Sequence, residues 1–310
     1  MAKTIMIMGN GFDVDLGLKS RYTDFLEGEE WKRVCSIVEE KFSQKFQKIS
    51  LLMHMLKASK DTSRWFDVEN EIHKFIKTYP IRENEMSGSF AGLTKEEFIM
   101  LKRAIYDYLA RISKEYILDK SKWAYVILQT LCDCKNNVNL FTFNYTNCCS
   151  LCKLPQLNCT YIHGNLEDDD IVLGCEELQY EHLPRPFSFL IKSNMITRPN
   201  NIIEELFDAS EVIFYGHSFN AFDFSYFEEF FSRITYPIDH SLYLTIVTRD
   251  QESELNVRNN LREQGISIQN LFKSNIITTF IHTEPNDRDK TKHLIKWNNL
   301  LNRIRGDNEN

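Results

Sequence analysis

Thr4-Ile5-Met6-Ile7-Met8, followed by Gly9-Asn10-Gly11-Phe12-Asp13, decides the fold. The first five residues form a short apolar run, and two glycines one residue apart end it. Such a run, too short for a helix, reads as a strand buried on both faces. Strands of that kind belong to parallel sheets covered by helices. Gly9 and Gly11 allow a tight strand-to-helix turn and let backbone approach a ligand phosphate with no Cβ in the way. Position 14 is Val14, so the full G-x-G-x-x-G pattern is absent and a glycine turn kept for its shape alone remains an equal reading.

Downstream, strands alternate with helices. Val138–Phe143, Cys159–Ile162, Ile171–Leu173, Glu211–Tyr215, Leu242–Val247 and Ile276–Ile281 read as strands. Helical patterns cover Asn201–Ala209, Phe222–Arg233, Gln251–Gln264 and Lys290–Arg303. The expected fold is α/β, a Rossmann-like parallel sheet. Between Glu29 and Cys134 the pattern is helical throughout, broken at 81–94 by a loop with Gly88 and Gly92; Thr94 and Glu97 have the spacing of a capping box. We therefore expect a nucleotide-binding domain from residues 1–28 and 135–310, with 29–134 as a large helical insertion, or cap, after the first strand.

Of the 310 residues, 43% are hydrophobic and 26% charged, ordinary usage for a folded chain. The net charge of −7 gives no overall attraction to nucleic acid or to an anionic membrane. The start lacks a signal-peptide pattern and no stretch of about 18 apolar residues occurs, so a cytoplasmic protein is expected. In that compartment most of the eight cysteines should be thiols. Cys149 and Cys152 have C-x-x-C spacing, but there is no second such pair, and no metal is expected.

Ligands of open α/β sheets bind at the carboxyl ends of the strands. Four strand ends carry small or polar residues: Gly9–Asp13, Asn144-Tyr145-Thr146, His163-Gly164-Asn165, and Gly216-His217-Ser218 with Asp223 beyond. Asn144 can hold a ribose hydroxyl or a water, or close an Asx turn. His163 can serve as a general base near neutral pH, or be structural. Asp13 suits a ribose hydroxyl or a helix cap better than a phosphate, which it would repel. Asp223 can cap a helix or bind a nucleotide. A nucleophile elbow at Ser218 would need glycine at position 220, which is Asn220. Glu69 and His73 share a helical face and read as a polar pair rather than a metal site.

MGNGFDVDLGLKSRYTDFL resembles the opening of the bacteriophage abortive-infection AbiH family, with its glycine turn, Gly17, and the Tyr22, Asp24 and Phe25 cluster. The likeness continues through WFDVE, FNYT, IHGN and the GHS…D segment. That family is in turn distantly similar to the sirtuin (Sir2-like) fold. The resemblance implies NAD as ligand and substrate, with cofactor-binding positions at Gly9, Asn10, Gly11, Phe12, Asp13, Thr146, Gly164, Gly216, His217, Ser218 and Asp223. It also implies Asn144 and His163 as catalytic residues. Two departures argue against protein deacylation. Thr146 stands where sirtuins carry Asp, and only Cys175 follows His163 where they carry a four-cysteine zinc module.

Three functions follow as expectations. The first is an antiphage NAD glycohydrolase, the second a nucleotide sensor without turnover, the third a toxin acting on another nucleotide or on RNA. A glycohydrolase needs a gate, for which the cap helices, a homo-oligomer interface or a defence-operon partner are the candidates. Trp31 and Trp65 serve either such an interface or the core.

Overall fold

Ile5 and Ile7 pack on one face of a parallel sheet, and Met6 and Met8 on the other, so the opening run is buried on both sides. The computed structural model describes residues 3–41, 50–60, 67–78, 88–134, 137–176, 185–196, 200–234, 241–273 and 275–306. Its strands are β1 (Lys3–Met8), β2 (Asn137–Thr142), β3 (Cys159–Tyr161), β4 (Gly164–Asn165), β5 (Asp170–Ile171), β6 (Glu211–Tyr215), β7 (Leu242–Thr248) and β8 (Ile276–His282). Six of them form one all-parallel sheet in the order β3-β2-β1-β6-β7-β8. Counted within that sheet the order is 3-2-1-4-5-6, that of a doubly wound Rossmann-like fold. Chain direction across the sheet reverses between β1 and β6, the topological switch point.

The helices divide between the two faces. One face carries α9 (Ile202–Phe207), α10 (Glu228–Ile234) and α11 (Gln251–Glu263), whose apolar residues join Val212, Phe214, Leu244 and Ile246. The other carries α1 (Asn10–Leu16), α7 (Trp123–Asp133) and α12 (Lys290–Arg305), packed on Met6, Met8, Ile213 and Tyr215. Trp123 of α7 and Trp297 of α12 stack at 4.5 Å. The Asp15 carboxylate accepts the Ala124 N–H at the start of α7 and the Tyr215 hydroxyl, joining α1, α7 and β6.

The chain forms two compact units: Met1–Leu18 with Tyr116–Ile162 and Asn200–Asn310, and Lys19–Glu115 with His163–Pro199. The helical unit thus differs from the expected 29–134 insertion. It begins at Lys19, ends at Glu115 and takes in 163–199 from later in the chain. Residues 116–134 were expected in the cap but belong with the sheet, because Ala124, Ile127, Leu128 and Leu131 of α7 bury against the sheet core.

In the second unit, α2 (Tyr22–Leu26), α3 (Glu29–Lys41), α4 (Leu51–Ser59), α5 (Val68–Thr78) and α6 (Gly88–Glu115) carry the helical patterns. Phe25 packs against Trp31 and Tyr108, and Asp24 accepts the Arg21 N–H at the start of α2. Trp31 is therefore core, while Trp65 lies outside the described residues. Of the expected loop at 81–94, residues 81–87 lie outside the described residues and 88–94 are helical. Thr94 thus sits inside α6, six residues past its first residue, and Glu97 accepts from the Ser50 hydroxyl and the Leu51 N–H at the start of α4. Ile171–Leu173 is not a strand of the six-stranded sheet either: Ile171 ends β5, which pairs antiparallel with β4 in a separate two-stranded sheet.

Candidate functional site at the carboxyl ends of the sheet

Register builds the site. Met8 stands beside Thr142 on one side and Tyr215 on the other, so the turns after β1, β2 and β6 emerge together at the switch point. Gly9 donates its N–H to the Tyr215 carbonyl at 3.0 Å, Gly11 to the Gly216 carbonyl at 3.0 Å, and Phe12 to the Gly9 carbonyl at 2.9 Å. Three N–H groups of the glycine turn are thus bonded within the protein. Gly216 has φ +64°, and a Cβ there would lie 2.4 Å from Gly11 C and Phe12 N. A Cβ on Gly9 would meet the Gly216 oxygen at 2.8 Å. The backbone-to-backbone approach of the two turns accounts for all three glycines.

Asp13 is the hub of the polar side chains. It is 1% exposed. Asn144 Nδ2 donates to Asp13 Oδ1 at 2.9 Å and to the Gly9 carbonyl at 3.0 Å. The Thr146 hydroxyl donates to Asp13 Oδ2. Burial pushes the Asp13 carboxyl up to about 7, against the lowering effect of the Thr146 and Asn144 hydrogen bonds. Asn144 also donates its backbone N–H to the Thr142 hydroxyl, which fixes the chain as it leaves β2.

The other expected site residues fall into several environments. Asn10 opens α1 and is exposed, whereas the Phe12 ring is fully buried edge-on against Tyr215 at 5.0 Å. The His217 ring lies among Phe143, Phe219 and Phe227, and its Nδ1 accepts the Phe219 N–H at 3.0 Å. Ser218 is exposed, and its carbonyl accepts from Asn260. Asp223 is buried and precedes the 3-10 turn Phe224–Tyr226, which its side chain does not cap. His163 and Gly164 belong to the second unit. His163 is buried there, with its carbonyl accepting the Val172 N–H. Gly164 has φ +75°, and a Cβ would lie 1.5 Å from the Asp170 carbonyl, so the β4–β5 hairpin by itself demands glycine.

Glu69 has a long-range partner that its helical spacing from His73 does not show. Its carboxylate binds Lys192 Nζ at 3.0 and 3.1 Å, and Lys192 is completely buried. The C-x-x-C residues Cys149 and Cys152 are buried thiols whose ionisation is pushed up, Cys152 to about 12, and no group of described residues has the arrangement of a metal site. Sequence reading missed both the Lys192–Glu69 pair and the role of Asp13 as partner to Asn144 and Thr146. These partners lie 123, 131 and 133 residues apart, and no local pattern signals them.

Strand order and the polar cluster at the switch point define a Rossmann-like α/β protein with a candidate ligand site at the carboxyl ends of its strands. The family model for bacteriophage abortive infection AbiH matches residues 5–243, and the chain belongs to that family. Its role is accordingly in abortive infection, a defence against phage. No curated protein and no solved structure matches the chain. Among the described residues, no helix is long and apolar enough to cross a membrane.

Proposed function

We propose that the switch-point cluster binds a ribonucleotide and that the chain acts in defence by hydrolysing NAD to nicotinamide and ADP-ribose. The observation that carries this reading is the Asp13–Asn144–Thr146 cluster, buried at the carboxyl ends of β1 and β2 where doubly wound sheets take their ligands. The resemblance to sirtuin-like defence enzymes supplies NAD as the substrate.

In this reaction the bond between the ribose C1′ and the nicotinamide nitrogen breaks, and its electron pair leaves with nicotinamide. Water adds to C1′ and gives up one proton. The transition state resembles an oxocarbenium ion, so orientation and electrostatics supply much of the rate. Asn144 orients a ribose hydroxyl or the water. His163 is the proton acceptor that the resemblance implies.

The test is purified protein with NAD, following nicotinamide and ADP-ribose by chromatography for wild type, Asn144→Ala and His163→Ala. Release by the wild type, reduced on the order of 10²–10⁴-fold in each variant, supports the reading. Binding without release would instead mark a sensor. Intact NAD with degraded RNA in expressing cells would mark a toxin of the other kind.

A further inference from the structure

The hydrogen bonds of the cluster have a direction. An asparagine side chain carries two N–H donors on one atom and an acceptor oxygen on the other. The two partners of Asn144 Nδ2, the Gly9 carbonyl and the Asp13 carboxylate, are both acceptors. Turning the amide over would set oxygen against oxygen at both contacts. Thr146 has one hydroxyl hydrogen, and it is donated to Asp13. The side-chain atoms that Asn144 and Thr146 can still direct at a ligand are therefore acceptor oxygens, with a carboxylate behind them. Acceptors receive hydrogen bonds from hydroxyls or water and repel phosphate oxygens. The adjoining turn adds no donor from Gly9, Gly11 or Phe12, whose N–H groups are bonded within the protein.

We propose that Asp13 is a positioning residue that sets the polarity of this end of the site, so that Asn144 and Thr146 accept hydrogen bonds from a sugar hydroxyl of the bound nucleotide while its phosphates lie elsewhere. This inference rests on the nucleotide reading above. It goes beyond that reading in naming the part of the ligand recognised and the residue that enforces it. Asp13 touches neither the sugar nor the reacting atoms; it acts through Asn144 and Thr146.

The probe is carbocyclic NAD, whose bond to nicotinamide is not hydrolysed, together with its four monodeoxy derivatives, each lacking one ribose hydroxyl. Affinities are measured by calorimetry at pH 8, where the carboxylate form of Asp13 is favoured. In the wild type, one derivative should bind about 10-fold or more weaker than the parent, the effect of one lost hydrogen bond in a buried site. Asp13→Ala frees the Thr146 hydroxyl to turn and removes one of the two acceptors that hold the Asn144 amide, so it should shrink that deficit to about twofold, whereas Thr146→Ser, which retains the hydroxyl, should preserve it. Should Asp13→Ala melt below the assay temperature, the isosteric Asp13→Asn replaces it, with the deficit expected to shrink at least about threefold. An unchanged deficit in the folded Asp13 variant overturns the proposal. So does equal binding of all four derivatives by the wild type, or a uniform loss of affinity for all five ligands in the variant, which is what a merely structural role would produce. No binding of carbocyclic NAD by the wild type would instead overturn the nucleotide reading itself, and this inference with it.

Discussion

Gly11 and Gly216 meet backbone to backbone: the Gly11 N–H donates to the Gly216 carbonyl at 3.0 Å, and a Cβ on Gly11 would stand 2.7 Å from the Gly216 Cα. One glycine follows β1 and the other follows β6, on the two sides of the switch point. The contact fixes the two turns against each other and sets the start of α1, from which Asp13 projects. A glycine pair that resembles a phosphate-binding signature thus has a packing cause.

Gly216→Ala and Gly11→Ala should therefore each destabilise the fold by about 2–4 kcal/mol, since backbone atoms must move to admit the methyl group. Gly17 is the control. It has φ +102° with nothing within 4 Å of an added Cβ, so Gly17→Ala should cost only about 1 kcal/mol, the strain of the left-handed conformation. Urea unfolding of the three variants measures the difference. Equal losses would show that the approach of the two turns is not tight.

Asp13 should make the protein less stable as pH rises. Its carboxyl titrates near 7 when folded, against 3.8 as the ordinary value, so between those limits the folded state holds a proton that the unfolded state has released. Stability from this group is full below about pH 4, falls as pH rises to about 7, and is flat above. At about 1.4 kcal/mol per pH unit the total is on the order of 4 kcal/mol. Melting temperatures at pH 5 and pH 8 should converge in Asp13→Asn relative to wild type. An identical pH response in the two proteins would remove Asp13 as its source.

His293 should act in the opposite sense. Burial, then the neighbouring His282, Lys296 and Lys292, lower it to about 4, and its Nδ1 accepts the His282 N–H at 2.8 Å. The unfolded chain takes up a proton near the ordinary value of 6.5, while the folded chain resists until about 4, so stability is lost as pH falls across that window. His293→Gln retains an acceptor and should lessen the acid-side loss seen in unfolding curves between pH 6.5 and 4.

The Lys192–Glu69 pair should resist removal of one partner and tolerate removal of both. Lys192→Met leaves a buried carboxylate without its cation and should cost about 3–5 kcal/mol. Adding Glu69→Gln removes that charge and should recover most of the loss. A double-mutant cycle measures the coupling; purely additive losses would mean that the two side chains do not stabilise each other.

Local patterns revealed much of the sheet. Glu211–Tyr215 is the strand read from sequence, residue for residue, and β1, β2, β7 and β8 differ from their expected bounds by about a residue, because unbroken apolar runs ending at glycine or polar residues mark buried strands wherever they occur. Errors arose where a local signal had a tertiary explanation. Thr94 and Glu97 have the spacing of a capping box, yet Glu97 caps a helix 46 residues earlier in the chain. The run at 171–173 is apolar, yet it pairs with its own neighbour in a hairpin instead of entering the sheet.

By itself the sequence determined the α/β class, the strands, the family motifs and the set of polar residues at the strand ends, because each depends on residues close together in the chain. Strand order, the division into units and the polarity of the cluster were decided only by tertiary structure. Asp13 meets Asn144 across 131 residues because β1 and β2 pair with Met8 beside Thr142, and Gly11 meets Gly216 because β6 pairs along the other edge of β1. Spacing along the chain carries no record of such contacts. The hydrogen-bonded ladder creates them by bringing distant strand ends together and burying their polar side chains, where each donor has to find an acceptor.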